Sequence, residues 1–388
     1  MKLIHISDLH LGKHLYGFSL LEDQSYILDR ILETVSYESP DAVIIAGDIY
    51  DRPVPPAEAV KLFDDFVVRL SAMDIQVFII SGNHDNAMRL AFGGRLMDRS
   101  GVHFSPEYDG NVMPFSVSDE FGTVDIYMLP FIKPQAAARY FPDEDISSYT
   151  DCLRAAIEHM PVETGHRKVL AAHQFVTGAE RSDSEEVNVG GLDNVDACVF
   201  RQFDYVALGH IHRPQNVGSE RIRYCGTPLK YSFSEADQDK SLTVVELGRP
   251  CAGGAEINVR TAELVPLRDM KEIKGKYSEL TSLDYHRTLS KEDYYHVTLT
   301  DENDILDALG RLRTIYKNIM CLDYDNTRTR SLQDFELKAQ EKEISPLEYF
   351  ADFYEQMNGS PMSGEQREVC GGLIQKIWNE EESGGETR

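Results

Sequence analysis

Asp41-Ala42-Val43-Ile44-Ile45-Ala46-Gly47-Asp48-Ile49-Tyr50-Asp51 is the stretch that decides the fold. Five apolar residues in a row are too few for a helix and typical of a strand buried on both faces. A glycine ends the run and two carboxylates follow at once. The same grammar recurs along the chain. Residues 3–7 precede Asp8-Leu9-His10, residues 75–81 precede Gly82-Asn83-His84-Asp85, residues 168–172 precede His173, and residues 205–208 precede Gly209-His210-Ile211-His212. Between the first of these strands lie two helical segments. Residues 21–36 carry Ile27, Leu28, Ile31, Leu32 and Val35 at helical spacing, and residues 57–73 form the second. With further strands at 124–129 and 241–247, this strand-helix alternation predicts an α/β layered fold over residues 1–250.

Downstream the signals are sparser. Arg249 to Gly254 reads as a linker or a hairpin turn. Residues 264–333 read as a small α/β unit, with strands at 294–299 and 319–324 and a helix at 305–316. Residues 344–382 read as two capped amphipathic helices. The first opens on Ser345-Pro346-Leu347-Glu348 and carries Leu347, Phe350, Phe353, Tyr354 and Met357 as one stripe, and Asn358-Gly359-Ser360-Pro361 ends it. The second opens on Ser363-Gly364-Glu365-Gln366 and carries Val369, Cys370, Leu373, Ile374, Ile377 and Trp378. Such stripes pack either on the chain's own core or on a partner.

Composition excludes several classes. No apolar run is long enough to span a bilayer. The N-terminal apolar run is too short for a signal peptide, so a cytoplasmic location is expected. The six cysteines form no C-x-x-C pair and sit at wide, irregular gaps, which argues against a zinc ribbon and a disulfide framework. The formal net charge of −26 sits awkwardly with a nucleic-acid substrate, because phosphate contacts usually come from Lys and Arg. Divalent cations or a partner would have to supply the missing positive charge.

The chemistry gathers at the strand ends. In an open α/β sheet, the carboxyl ends of strands share one edge, where ligands bind. Five of the 12 histidines fall in these five elements. Taken alone, His173 reads as a structural histidine and Gly82-Asn83-His84-Asp85 as a turn; the ordered combination does not. Carboxylates, one amide oxygen and imidazoles with no thiolate suit Mn, Fe or Zn. Asp8-x-His10 and His210-x-His212 each place two ligands on one side of an extended segment. Asp48 can bridge two ions through its two oxygens, and such a pair clamps a phosphate and activates a water. Without metal, carboxylates crowded there repel one another. His84 can face the phosphate as a general acid, with Asp85 fixing its tautomer.

The order of these elements resembles the calcineurin-like metallophosphoesterase signature, D-x-H, G-D-x-x-D, G-N-H-D/E, H and G-H-x-H. More narrowly, the chain is similar to the SbcD family of nuclease subunits from residue 1 to about residue 382. That match is carried by Asp48 to Glu58, by Ser182-Asp183-Ser184-Glu185 with Gly190-Gly191, by Asp204 to Pro214, and by the tail. The resemblance implies a layered β-sandwich flanked by helices, a small α/β cap at 264–333 and a two-helix partner-binding tail at 344–382. It implies that Asp8, His10, Asp48 and His212 hold one manganese ion and Asp48, Asn83, His173 and His210 the other, with His84 catalytic. It implies a DNA exonuclease and endonuclease working with an SbcC-type coiled-coil ATPase in repair, recombination and replication, as a heterotetramer. Two other readings share these motifs: a phosphatase or nucleotide phosphodiesterase of the same fold, and a binding scaffold on an inactive one. Every proposed metal position holds a competent ligand, which disfavours the scaffold.

Overall fold

The computed structural model describes residues 1–185, 194–329, 347–348, 350–351, 354–355 and 361–384, with side chains up to residue 374. In chain order the main elements are β1 (Lys2–Ile6), α1 (Leu21–Glu38), β2 (Ala42–Ala46), α2 (Ala57–Ser71), β3 (Gln76–Ile80), β4 (Val102–Phe104), β5 (Phe115–Asp119), β6 (Gly122–Met128), α3 (Tyr149–Glu158), β7 (Arg167–His173), β8 (Tyr205–Gly209), β9 (Gln215–Val217), β10 (Ser219–Tyr224), β11 (Ser241–Cys251) and β12 (Gly254–Glu263). They build two six-stranded sheets, ordered β12-β11-β1-β2-β3-β4 and β9-β10-β8-β7-β6-β5. The centre of each sheet is parallel, and antiparallel partners flank it: β11 beside β1, β5 beside β6, β9 beside β10. Arg249 to Gly254 is the tip of the β11–β12 hairpin: Ala252 and Gly253 make the turn and Cys251 pairs with Gly254.

Side-chain alternation explains why two sheets pair. Leu3, Ala42, Ile44, Ala46, Phe78 and Ile80 of the first sheet pack with Val124, Ile126, Val169, Ala171, Tyr205 and Ala207 of the second. Their neighbours point the other way. Ile4, Val43, Ile45, Val77 and Ile79 meet the apolar faces of α1 and α2, and Leu170, Ala172, Val206 and Leu208 meet α3. Both faces of the central strands are therefore buried, which is why they read as unbroken apolar runs rather than alternating ones.

By contact density the chain forms two units. The first is Met1–Glu272 with Lys291–His296 and Tyr316–Cys321; the second is Ile273–Ser290, Val297–Ile315 and Leu322–Arg388. Strands Met270–Gly275, Tyr294–Leu299 and Asn318–Tyr324 form a three-stranded sheet in that order. The helix expected at 305–316 is shorter, Ala308–Arg313.

In the tail a helix spans Gly364–Gly384. Its capping box is formed, with Gln366 N–H donating to Ser363 Oγ at 3.3 Å and Ser363 N–H to Gln366 Oε1 at 2.9 Å. Gln366 Nε2 also donates to the Tyr354 hydroxyl at 3.0 Å. Gly190 and Gly191, the Ser345-Pro346 cap, Phe353, Met357, Asn358 to Ser360 and the side chains of Ile377 and Trp378 lie outside the described residues. Among the described residues, no helix is long and apolar enough to cross a membrane.

Candidate active site

The parallel ladder between β1 and β2 continues past the ends of both strands. Asp8 N–H donates to Gly47 O at 3.0 Å, His10 N–H to Asp48 O at 3.0 Å and Leu11 N–H to Ile49 O at 2.9 Å. This carries Asp8 and His10 alongside Asp48. Gln24, buried on α1, props the same loop, donating to His10 O at 2.7 Å and accepting from Gly12 N–H at 2.9 Å. The backbone is bent hard here. Asp8, His10, Asp48 and His210 have φ of 54°, 43°, 51° and 100°. Each non-glycine residue in that region costs about 1–2 kcal/mol, and such residues cluster at functional sites. Two glycines allow the close approach. A Cβ on Gly82 would lie 2.1 Å from Asp48 Oδ1, and one on Gly209 would lie 1.9 Å from Ala46 O.

All seven expected metal ligands converge. Asp8, His10 and His212 bring ligand-type atoms within 4.8 Å of one another, and so do Asp48, His173 and His210. Asn83 Oδ1 lies 3.0 Å from both His173 Nε2 and His210 Nδ1. Asp48 Oδ2 lies 3.7 Å from His10 Nε2 and 3.3 Å from His173 Nε2. The other oxygen, Oδ1, is taken by the His84 N–H at 2.9 Å. Asp48 thus turns a single oxygen, not two, to both groups.

This donor set fits cations. His10 Nε2 and His212 Nε2 face each other at 3.2 Å, and buried His10 Nδ1 has no hydrogen-bond partner. Burial and neighbouring imidazoles drive His10 well below the usual histidine range and push His210 down to about 3, so their rings present lone pairs. Burial pushes the Asp8 carboxyl up to about 6. Burial also opposes charge on Asp48, but His173, His10 and His84 outweigh it and hold that carboxyl well below the usual carboxylate range. Despite burial, Asp48 and Asp8 push the His173 ring up to about 9. The cluster draws in positive charge wherever it can.

His84 occupies a different position. Its side chain is 17% exposed, against 1% for His10, 0% for His173 and 3% for His212. Its Nδ1 meets Asp51 O at 3.1 Å. Asp85 does not fix that tautomer, which corrects the sequence expectation. Its carboxylate accepts from the N–H groups of Gly82, Ile49 and Tyr50 at 2.9, 3.1 and 3.0 Å. Asp85 ties two loops together, while the neighbouring ring turns its Nδ1 to the Asp51 carbonyl instead. Asp51, unassigned from sequence, also pairs with Lys13 at 2.7 Å. Ser7, whose hydroxyl donates to Asp8 Oδ2, and Gln24, Ser184, Glu235 and Lys240 were missed as supports; only Ser184 lay in a stretch that the family resemblance had marked.

Residues 1–214, more than half the chain, match the calcineurin-like phosphoesterase family, and residues 266–358 match the type 5 capsule protein repressor C-terminal domain. The chain is 32% identical to the SbcD subunit of nuclease SbcCD from Staphylococcus epidermidis, over 98% of this chain and all of that protein. The chain belongs to the calcineurin-like phosphoesterases, in the SbcD family. It is also 34% identical to the SbcD protein of Staphylococcus saprophyticus, likewise a subunit of nuclease SbcCD, over 83% of this chain and 84% of that one. A dimetal phosphatase from Danio rerio is similar in structure at a TM-score of 0.39 and 10% identity, over 68% of this chain and 99% of that one. The family's fold takes divalent metal ions, and the clusters at this sheet edge suit them.

Proposed function

We propose that this chain cuts DNA as the metal-dependent nuclease subunit of a complex with an SbcC-type coiled-coil ATPase. The chain is a hydrolase of phosphodiester bonds; DNA as substrate, manganese as metal and the ATPase as partner complete the reading. The nuclease domain is residues 1–250, the cap 264–333 and the partner-binding tail 344–382. Asp8, His10, Asp48 and His212 would hold one manganese ion, and Asp48, Asn83, His173 and His210 the other. The carrying observation is Asp48 Oδ2, which lies within 3.7 Å of a ring nitrogen on each side of it.

When bound, the two cations supply charge that clamps a phosphate and activates water. The chain's own residues do the rest. Asp85 fixes the Gly82 turn against the Asp48–Asp51 loop, which sets where His84 stands. The Asp51 carbonyl accepts from His84 Nδ1–H, leaving Nε2 to deliver a proton to the leaving alkoxide. The partner supplies basic surface that a chain of net charge −26 lacks.

The test is the purified full chain with Mn²⁺ on labelled single-stranded and duplex DNA, beside a cyclic nucleotide. Metal-dependent cleavage of DNA, with little turnover of the cyclic nucleotide, is expected. Turnover of the cyclic nucleotide with DNA left intact would replace this reading by a nucleotide phosphodiesterase.

A further inference from the structure

His173 and His212 are both buried ligand-type histidines, but their second nitrogens are held differently. His173 Nδ1 lies 2.8 Å from a backbone oxygen, that of Ala46. A carbonyl only accepts, so Nδ1 carries a proton and Nε2 is the nitrogen that would turn to a cation. His212 Nδ1 meets the Ser184 hydroxyl instead, at 2.6 Å. A hydroxyl both donates and accepts, so by itself it leaves the tautomer open.

Two further side chains close that choice. Ser184 Oγ lies 2.5 Å from Glu235 Oε1, and Glu235 Oε2 lies 2.6 Å from Lys240 Nζ. Glu235 is 0% exposed and Lys240 4%. The ammonium has three donors and three acceptors around it: Glu235, His212 O at 3.0 Å and Gln238 Oε1 at 3.1 Å. Paired in this way, Glu235 is a carboxylate that can only accept. Ser184 must then give its proton to Glu235, and its oxygen is left to accept from His212 Nδ1–H. The direction of every hydrogen bond in the chain is fixed from Lys240 outward. We infer that Ser184, Glu235 and Lys240 are positioning residues that lock His212 in its Nδ1–H tautomer and so keep Nε2 bare toward His10. None of the three touches substrate. Their effect passes through one imidazole, as partners behind metal-bound histidines generally act.

This inference rests on the proposed reading of His212 as a metal ligand, and the experiment separates the two. Mn²⁺ binding to the full chain is measured by calorimetry for the wild type, Ser184→Ala and Ser184→Thr. The histidine tautomers of the metal-free chains are read by ¹⁵N NMR on histidine-labelled protein, with His212 assigned from the resonances lost in His212→Gln. The wild type should bind two ions and show His212 as Nδ1–H. Ser184→Ala should lose about 10- to 100-fold in affinity at one site only, with His212 shifting to a mixture of tautomers. Ser184→Thr, which keeps the hydroxyl, should restore both readings. An alanine variant with unchanged affinity and tautomer overturns the inference while leaving the ligand reading intact. So does equal weakening at both sites with a lower melting temperature in the metal-free chain, or a threonine variant that behaves like alanine. A wild type that binds no pair of ions overturns both.

Discussion

The same strands end in opposite kinds of chemistry. At their amino ends charges are matched. The N-terminal ammonium before β1 lies 2.6 Å from Asp119 Oδ2. Arg167, which opens β7 and is 1% exposed, pairs with the same carboxylate and donates to the carbonyls of Leu247, Gly248 and Gly122. Asp41, before β2, accepts from Lys2 N–H, and Asp204, before β8, from Lys168 N–H and Ala255 N–H. Six or seven residues later these strands deliver Asp8, His173, Asp48 and His210, which all belong to clusters of ligand-type atoms. One end holds its polar groups to partners within the chain, while the other gathers ligand-type atoms that suit cations. Stability therefore concentrates at the first end and binding capacity at the second, at the expense of local backbone strain.

Substitutions at the two ends test that division. The largest effect is expected at Asp48. Asp48→Asn removes the negative charge from the side chain shared by both groups and puts an amide in its place, and Mn²⁺-dependent DNA cleavage should fall by about 10³-fold or more. The melting temperature of the EDTA-treated chain should fall slightly. Relief of carboxylate repulsion would raise it, but despite burial the imidazoles around Asp48, His173 first among them, hold its carboxyl well below the usual range, so its ionised form is favourable. Full activity at low manganese would remove Asp48 from the centre. Next comes Asp119→Asn, which leaves the Arg167 guanidinium buried without its counter-charge. A loss of about 3–5 kcal/mol is expected, a fall in melting temperature on the order of 10 °C, with turnover unchanged at 25 °C. A matching loss of turnover would show the two ends to be coupled. Third is His84→Ala, which should slow cleavage by about 10²-fold with both ions retained. His10, Asp48 and His84 also form a cluster of ligand-type atoms. If the variant loses manganese, His84 belongs with the ligands.

The central fold was legible because β1, β2, β3, β7 and β8 are buried on both faces and read as apolar runs. The strands that escaped notice lie toward the sheet margins. Phe115-Ser116-Val117-Ser118-Asp119 exposes one face, and Ser219-Glu220-Arg221-Ile222-Arg223-Tyr224 is exposed at its start and mostly polar, so neither carries an apolar run. Helix α3 went unnoticed although Ser148 and Asp151 form a reciprocal cap, because the sequence signature looks for Glu or Gln three residues after the cap. At the site, residues directly after strands could be found from the apolar run before them. Their supports could not. Gln24 sits on a helix, and Ser184, Glu235 and Lys240 come from segments with no period of their own; only packing brings them together.

The smallest effect on stability is expected in the tail, where the contrast takes another form. Within the core, large apolar side chains are almost fully buried. Phe350, Val369 and Leu373 are 40%, 63% and 55% exposed. Among the described residues, contacts within the tail include the Gln366–Tyr354 hydrogen bond, and Leu347 lies close enough that a Cβ on Gly371 would be 3.3 Å from it. Phe350→Glu combined with Leu373→Glu exchanges exposed apolar surface for charge. Little burial is lost in the isolated chain, so its melting temperature should move by no more than about 2 °C, as for ordinary surface substitutions. In a complex the same carboxylates would be covered by the partner and left unpaired, which costs several kcal/mol each. Co-purification with an SbcC-type ATPase should therefore fail while Mn²⁺-dependent cleavage of short single-stranded DNA persists. A fall of many degrees in the isolated chain would mean that these side chains stabilise this protein's own fold, and the proposal that the tail binds a partner would lose its physical support.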